Sequence, residues 1–170
     1  MRTMTALSLG LALLASPALA QSITVKGPAG TVTLDAAALA ALPRQTVTLD
    51  AHGTKHDYSG PLLMDVLAKA GAPTGKALRG PELANVVLVT AADGYQVVFG
   101  LAEADPNTRA NRMILADRDE TGPLDAKTGP LRLVVEGDLR PARSARQVIQ
   151  LEVLLIGRPP PAAASAEHKH

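Results

Sequence analysis

The sequence predicts a single α+β domain with a mixed β-sheet and few short helices. Three observations lead there. The chain has 170 residues, the size of one domain, and 46% of them are hydrophobic, enough to build a core. Its apolar stretches are mostly short, alternating runs bounded by Gly and Pro, the mark of strands and turns. Helical spacing is confined to two segments that do not alternate strictly with strands, which argues against repeated βαβ units.

Taken in order, Ile23–Val25 and Thr31–Leu34 read as a hairpin around Gly27-Pro28-Ala29-Gly30. Asp35 is an N-cap candidate for a helix over 36–42, which Pro43 ends. Thr46–Leu49 alternates as a strand, and a turn at His52-Gly53 leads to a second strand through Tyr58. The spacing of Leu62, Leu63, Val66, Leu67 and Ala70 predicts a helix, with Ser59 able to cap it, Pro61 in its first turn and Gly71 at its end. Val86–Val89 is a solid apolar run, expected as a central strand covered on both faces. Asp93-Gly94 is a hairpin signal, with the return strand over 95–99 and a helical turn over 101–105. Further strands are expected at Met113–Ala116, at Leu131–Val135, and at Ile149–Val153, with Ile149, Leu151 and Val153 on one face.

The ends differ from the body. Arg2, the apolar run 6–15 and Ala18-Leu19-Ala20 read as an export signal over residues 1–20, too short to span a bilayer, with cleavage leaving Gln21 first. Residues 21–157 form the expected domain, and 158–170 read as a disordered Pro/Ala-rich tail. A periplasmic location follows, with no membrane insertion after cleavage.

Composition excludes several classes of function. Loss of Arg2 with the signal leaves sixteen basic against sixteen acidic residues, which removes the general electrostatic case for nucleic acid or an anionic membrane. Tyr58, Tyr95 and Phe99 are the only aromatics, too few for a base-stacking surface. The chain has no cysteine, so it has no disulfide, thiol chemistry or Cys-based zinc site.

Candidate chemistry lies mostly in the second half. Arg132, Arg140, Arg143 and Arg146 are the densest positive set, and a helical turn would place Arg143 and Arg146 on one side. Such a set reads either as an anion pocket or as a solvated rim paired with Glu136 and Asp138. Asp93 and Tyr95 flank the Gly94 turn, where they either line a ligand cleft or form the turn and its packing. His52, His56 and Asp57 invite a metal reading, but the strand-turn-strand setting favours solvated loop residues, and His168 and His170 read as tail residues. Ser59 and Ser144 have no His and acid pattern for a triad, and no Gly-rich phosphate loop is present.

Four pieces, in this order and spacing, carry a resemblance. They are Tyr58-Ser59-Gly60-Pro61-Leu62-Leu63 with Asp65-Val66-Leu67, then Asp93-Gly94-Tyr95, then 119–124, then Gly129-Pro130-Leu131-Arg132-Leu133-Val134. Together they resemble the oxidoreductase molybdopterin-binding domain of sulfite oxidase and its relatives, in its small stand-alone bacterial form. The resemblance implies an α+β fold, and by family alone a molybdenum–pterin cofactor. Redox members hold the metal through a cysteine thiolate located well before the central hairpin, and this chain has no cysteine to occupy that place. The expected function is therefore an exported, non-catalytic or accessory module. It would use a cleft near Asp93, Tyr95, Arg132, Arg143 and Arg146 for a small anionic ligand or a periplasmic protein partner. The alternatives are a molybdopterin-dependent oxidoreductase lacking the cysteine ligand, and an interaction domain recruiting a partner through exposed strand edges.

Overall fold

The computed structural model describes residues 21–51 and 53–156. The expected export signal, the tail, His52, His168 and His170 lie outside the described residues. The fold is α+β, with mixed sheets and few short helices.

A five-stranded sheet has the order β2-β1-β11-β5-β6. β1 (Ser22–Gly27) and β2 (Gly30–Asp35) form the expected hairpin, closed by Pro28-Ala29. β11 (Val148–Leu154) lies parallel to β1 and antiparallel to β5 (Val86–Ala91), which makes the sheet mixed. β6 (Gln96–Gly100) returns from β5 through Gly94, whose φ of +86° only glycine adopts freely. The apolar run of β5 is interior by pairing but covered on one face only. Val87, Val89 and Ala91 are buried, whereas Val86, Leu88 and Thr90 are half-buried and Leu88 faces the exposed Val98. No helix covers that outer face among the described residues. A bulge between Val148 and Gln150 also overturns the expected alternation of β11, turning Val148 inward and leaving Ile149 exposed.

A four-stranded antiparallel sheet has the order β3-β4-β8-β9: β3 (Arg44–Ala51), β4 (Thr54–Pro61), β8 (Arg118–Asp119) and β9 (Gly122–Pro123). β4 runs three residues beyond Tyr58. Ser59 pairs with Thr46 and Arg118, and Pro61 pairs with Arg44, so neither serves the helix. α2 (Leu63–Ala68) is accordingly shorter than its apolar spacing suggests, and no side chain caps it at Leu62. α1 (Ala36–Ala40) starts as expected, with the Asp35 carboxylate accepting from the Ala38 N–H at 2.8 Å, but ends earlier. Gly60, read from sequence as part of a helix start, is a strand residue over which the Leu115–Ala116 backbone passes. A Cβ there would run into the Leu115 carbonyl oxygen.

Between the sheets lies a two-stranded layer, β7 (Met113–Ala116) with β10 (Arg132–Val135), buried on both faces. Met113, Leu115, Leu133 and Val135 face the main core, shared with α2 and the five-stranded sheet. Ile114, Ala116 and Val134 face a smaller core with Val47, Leu49 and Tyr58. Every position of β10 is thus interior, and an arginine stands at one of them.

The connection from β6 toward β7 is held by Asp105, 1% exposed. Its carboxylate accepts from the Gly75 N–H at 2.6 Å, the Asn107 N–H at 2.7 Å and the Asn107 side-chain amide at 2.8 Å. Burial pushes this carboxyl up, but the hydrogen bonds outweigh it and hold the group below its ordinary value of 3.8.

Two expectations follow. Gly60→Ala costs about 1–3 kcal/mol in urea unfolding at unchanged m-value, because the obstacle is backbone. The Asp105 carboxylate, with its lowered folded pKa, contributes stability in full above the unfolded carboxylate range and loses it as pH falls through the folded value. Asp105→Asn is therefore less stable near neutrality, by about 1–3 kcal/mol. Its unfolding midpoint also falls less between pH 5 and pH 3 than that of the parent, those limits bracketing roughly the unfolded Asp pKa of ~3.9.

Candidate functional site

After β10 the chain makes a 3-10 turn (Pro141–Arg143) and folds back as a strap along the free edge of β10. The Ser144 hydroxyl accepts from the Val135 N–H at 3.1 Å, Leu133 N–H donates to the Ala145 carbonyl at 2.9 Å, and Val148 N–H donates to the Leu131 carbonyl at 2.9 Å. Gln147 completes the strap in the left-handed region, φ +48°. It is held there by its N–H on Thr128, its carbonyl on Ala92 N–H, and its side-chain amide on the Ala126 carbonyl at 2.6 Å. A non-glycine residue at such a φ costs about 1–2 kcal/mol, and the result is a sharp turn that swings Arg146 and β11 past β10.

The strap, the Asp93–Tyr95 turn and β10 line an open cavity of about 430 Å³. Asp93, Tyr95, Arg132 and Arg146, four of the five residues singled out in the sequence, line it together, with Lys127 on its rim. Arg132 is 4% exposed. Its Nη1 donates to the Tyr58 hydroxyl at 2.6 Å, its guanidinium carbon lies 4.7 Å from the Tyr58 ring centroid, and its buried Nε has no acceptor. No carboxylate pairs with Arg132 or Arg146 among the described residues. Burial is the main cause that pushes the Arg132 guanidinium below its ordinary value; Tyr58 raises it, and the like charge of Arg146 lowers it further. Arginine keeps its proton regardless, so the site holds a buried, uncompensated positive charge.

The remaining side chains divide by what already occupies them. The Asp93 carboxylate accepts from Tyr95 N–H at 2.9 Å, holding the turn. The Tyr95 hydroxyl donates to the Ala142 carbonyl at 2.9 Å, so the ring is a wall of the cavity and a tie to the strap. Arg143 is not among the lining residues. Its Nε and Nη2 grip both Asp138 oxygens at 2.9 and 2.7 Å, its Nη1 reaches Glu103 at 3.4 Å, and it stacks 5.0 Å from the Phe99 centroid. Asp138 keeps it firmly protonated. The 3-10 turn stops at Arg143, so Arg143 and Arg146 do not share one side of a helical turn. Glu136, the other acid considered for the arginine cluster, is bound to Arg112 at 2.8 Å.

Three participants escaped the sequence reading. Lys127 gave no signal beyond its charge. Tyr58 read only as the end of a strand, and the 74-residue separation closed by its bond to Arg132 reveals its role. Gln147 is a polar residue of ordinary appearance whose backbone conformation is visible only in the fold. No group of three or more His, Cys, Asp or Glu side chains is placed to hold a metal among the described residues. His56 pairs instead with Glu120, Nδ1 to Oε1 at 2.8 Å, pinning the β8–β9 turn to β4.

No family model and no curated protein matches the chain. Among solved structures, the sulfane dehydrogenase SoxCD from Paracoccus pantotrophus is similar, with a TM-score of 0.59 and 19% identity over 78% of this chain. The match spans 38% of that chain, so this protein corresponds to well under half of its neighbour. At this identity the likeness shows the fold alone.

A buried unpaired cation predicts a trade between stability and binding. Arg132→Met removes the desolvated charge while keeping the volume of the chain. Equilibrium unfolding is expected to show it at least as stable as the parent, by up to about 1–2 kcal/mol. An arginine serving mainly structure would show a loss instead.

Proposed function

We propose that this protein is an exported accessory module that binds a small anion in the cavity between Arg132 and Arg146. One observation carries the reading: Arg132, 4% exposed and with a buried Nε that has no acceptor, has no acidic partner and lines a cavity that a second arginine also lines. Leaving a charge in that state costs several kcal/mol, which the opposite charge of an oxyanion bound in the cavity offsets. Arg146 and Lys127 add attraction from the rim, and the one acid lining the cavity, Asp93, is engaged in its own turn. Export rests on residues 1–20, and a mature chain beginning at Gln21 is its mark.

The sequence resemblance implies a molybdenum–pterin group. Arg132 and Arg146 suit the anionic part of such a molecule. The chain does not suit a metal held by a protein thiolate, because it contains no cysteine. No redox step is assigned to these residues. The similarity to a dehydrogenase supports the competing reading, an oxidoreductase lacking the thiolate ligand. Molybdenum quantification on protein purified from its native periplasm separates the two, with stoichiometric metal favouring the competitor.

Sulfate and phosphate, compared with chloride at constant ionic strength, are expected to raise the melting temperature. A ligand at about a hundredfold its Kd stabilises the fold by about 2.7 kcal/mol. The shift disappears in Arg132→Met and shrinks in Arg146→Ala. Equal shifts in the parent and Arg132→Met contradict an anion site at this cavity.

A further inference from the structure

On the far side of the strap lies a larger trough, about 1050 Å³, between the β3–β4 hairpin and the loop 137–142. Three features of its walls are unsatisfied at once. β3 is the edge of its sheet, paired with β4 alone, and from Thr46 to Ala51 it makes no other backbone hydrogen bond among the described residues. Leu139 is 99% exposed, an apolar side chain touching nothing, at the rim. Lys55 and Arg140 are exposed and form no ion pair among the described residues, while the neighbouring Asp138 is taken by Arg143 and Asp50 accepts from the Gly53 N–H at 2.8 Å. Val47 and Leu49 fill the small core, so the outward side chains of β3 are Thr46, Thr48 and Asp50, none bulky enough to block the edge.

A small ion needs neither a strand edge nor a leucine. An extended peptide meets all three features. Its backbone continues the β3 ladder, an apolar side chain covers Leu139, and carboxylates answer Lys55 and Arg140. We propose that the trough receives an acidic, extended segment of a partner protein, added as a strand to β3. This surface is separate from the anion cavity, though Pro141 and Ala142 line both.

The probe is a fluorescein-labelled, end-capped peptide of sequence Glu-Val-Glu-Leu-Glu-Val, read by fluorescence anisotropy at constant ionic strength. Saturable binding is expected, with β3 amides protected from hydrogen exchange in the complex. Leu139→Ser and Arg140→Glu, both on exposed side chains and checked for unchanged circular dichroism, are expected to weaken it about tenfold or more. N-methylation of alternate peptide nitrogens abolishes it, which a merely electrostatic patch does not require. Sulfate that saturates the anion cavity leaves it unchanged, so the two sites stand or fall separately. Absence of saturable binding, equal affinity for the Lys-for-Glu peptide, indifference to N-methylation, or full affinity in both variants would each overturn the proposal.

Discussion

β10 is buried on both faces, and the rest of the site depends on that constraint. A strand in a one-sided sheet can turn an arginine to water at every second position. Here Leu133 and Val135 enter the main core while Val134 enters the smaller one, so Arg132 has no solvated side to choose. Its long stem can only bring the guanidinium against Tyr58 and toward the cavity that the strap leaves open. The same double burial explains Gly60, where β4 crosses the Leu115–Ala116 backbone too closely for any side chain. The central layer thus dictates both the close backbone approach at Gly60 and the buried charge at Arg132.

The elements around that charge are stiff where they meet it. Gln147 is locked in an unfavourable backbone conformation by three hydrogen bonds, and Arg143 is locked on Asp138. Tyr95 ties the β5–β6 turn to the strap. The arginines beside one another therefore have different tasks. Arg143, fully paired, braces the start of the strap outside the cavity; Arg146, unpaired among the described residues, adds to the positive field of the cavity. Preorganised donors of this kind can meet an oxyanion without first breaking an internal ion pair.

The elements legible in the sequence were those decided locally. The β1–β2 hairpin follows from its turn residues, α1 from the Asp35 cap, and the β5–β6 turn from Asp93-Gly94. Four of the cavity residues were legible as chemistry, since charge and turn placement are local properties. What failed was decided across the chain. Arg132 reads either as part of an anion pocket or as part of a solvated rim, and only the second core makes it interior. Ser59 and Pro61 look like helix-start residues until the pairing with Thr46 and Arg44 claims them for β4. Ile149 looks like an inward residue until the bulge reverses it. Arg143 and Arg146 are indistinguishable by composition, and only the partners the fold gives Arg143, Asp138 first among them, separate the two.

The claim that Arg132 is an uncompensated cation held for an anion is tested most directly by observing its side chain. In protein labelled with ¹⁵N-arginine, the Arg132 guanidinium resonances report whether an anion settles beside that side chain. Titration with sulfate at constant ionic strength is expected to move these resonances saturably, while those of the paired Arg143 stay in place. An Arg132 guanidinium that does not respond while the protein remains folded would contradict the account.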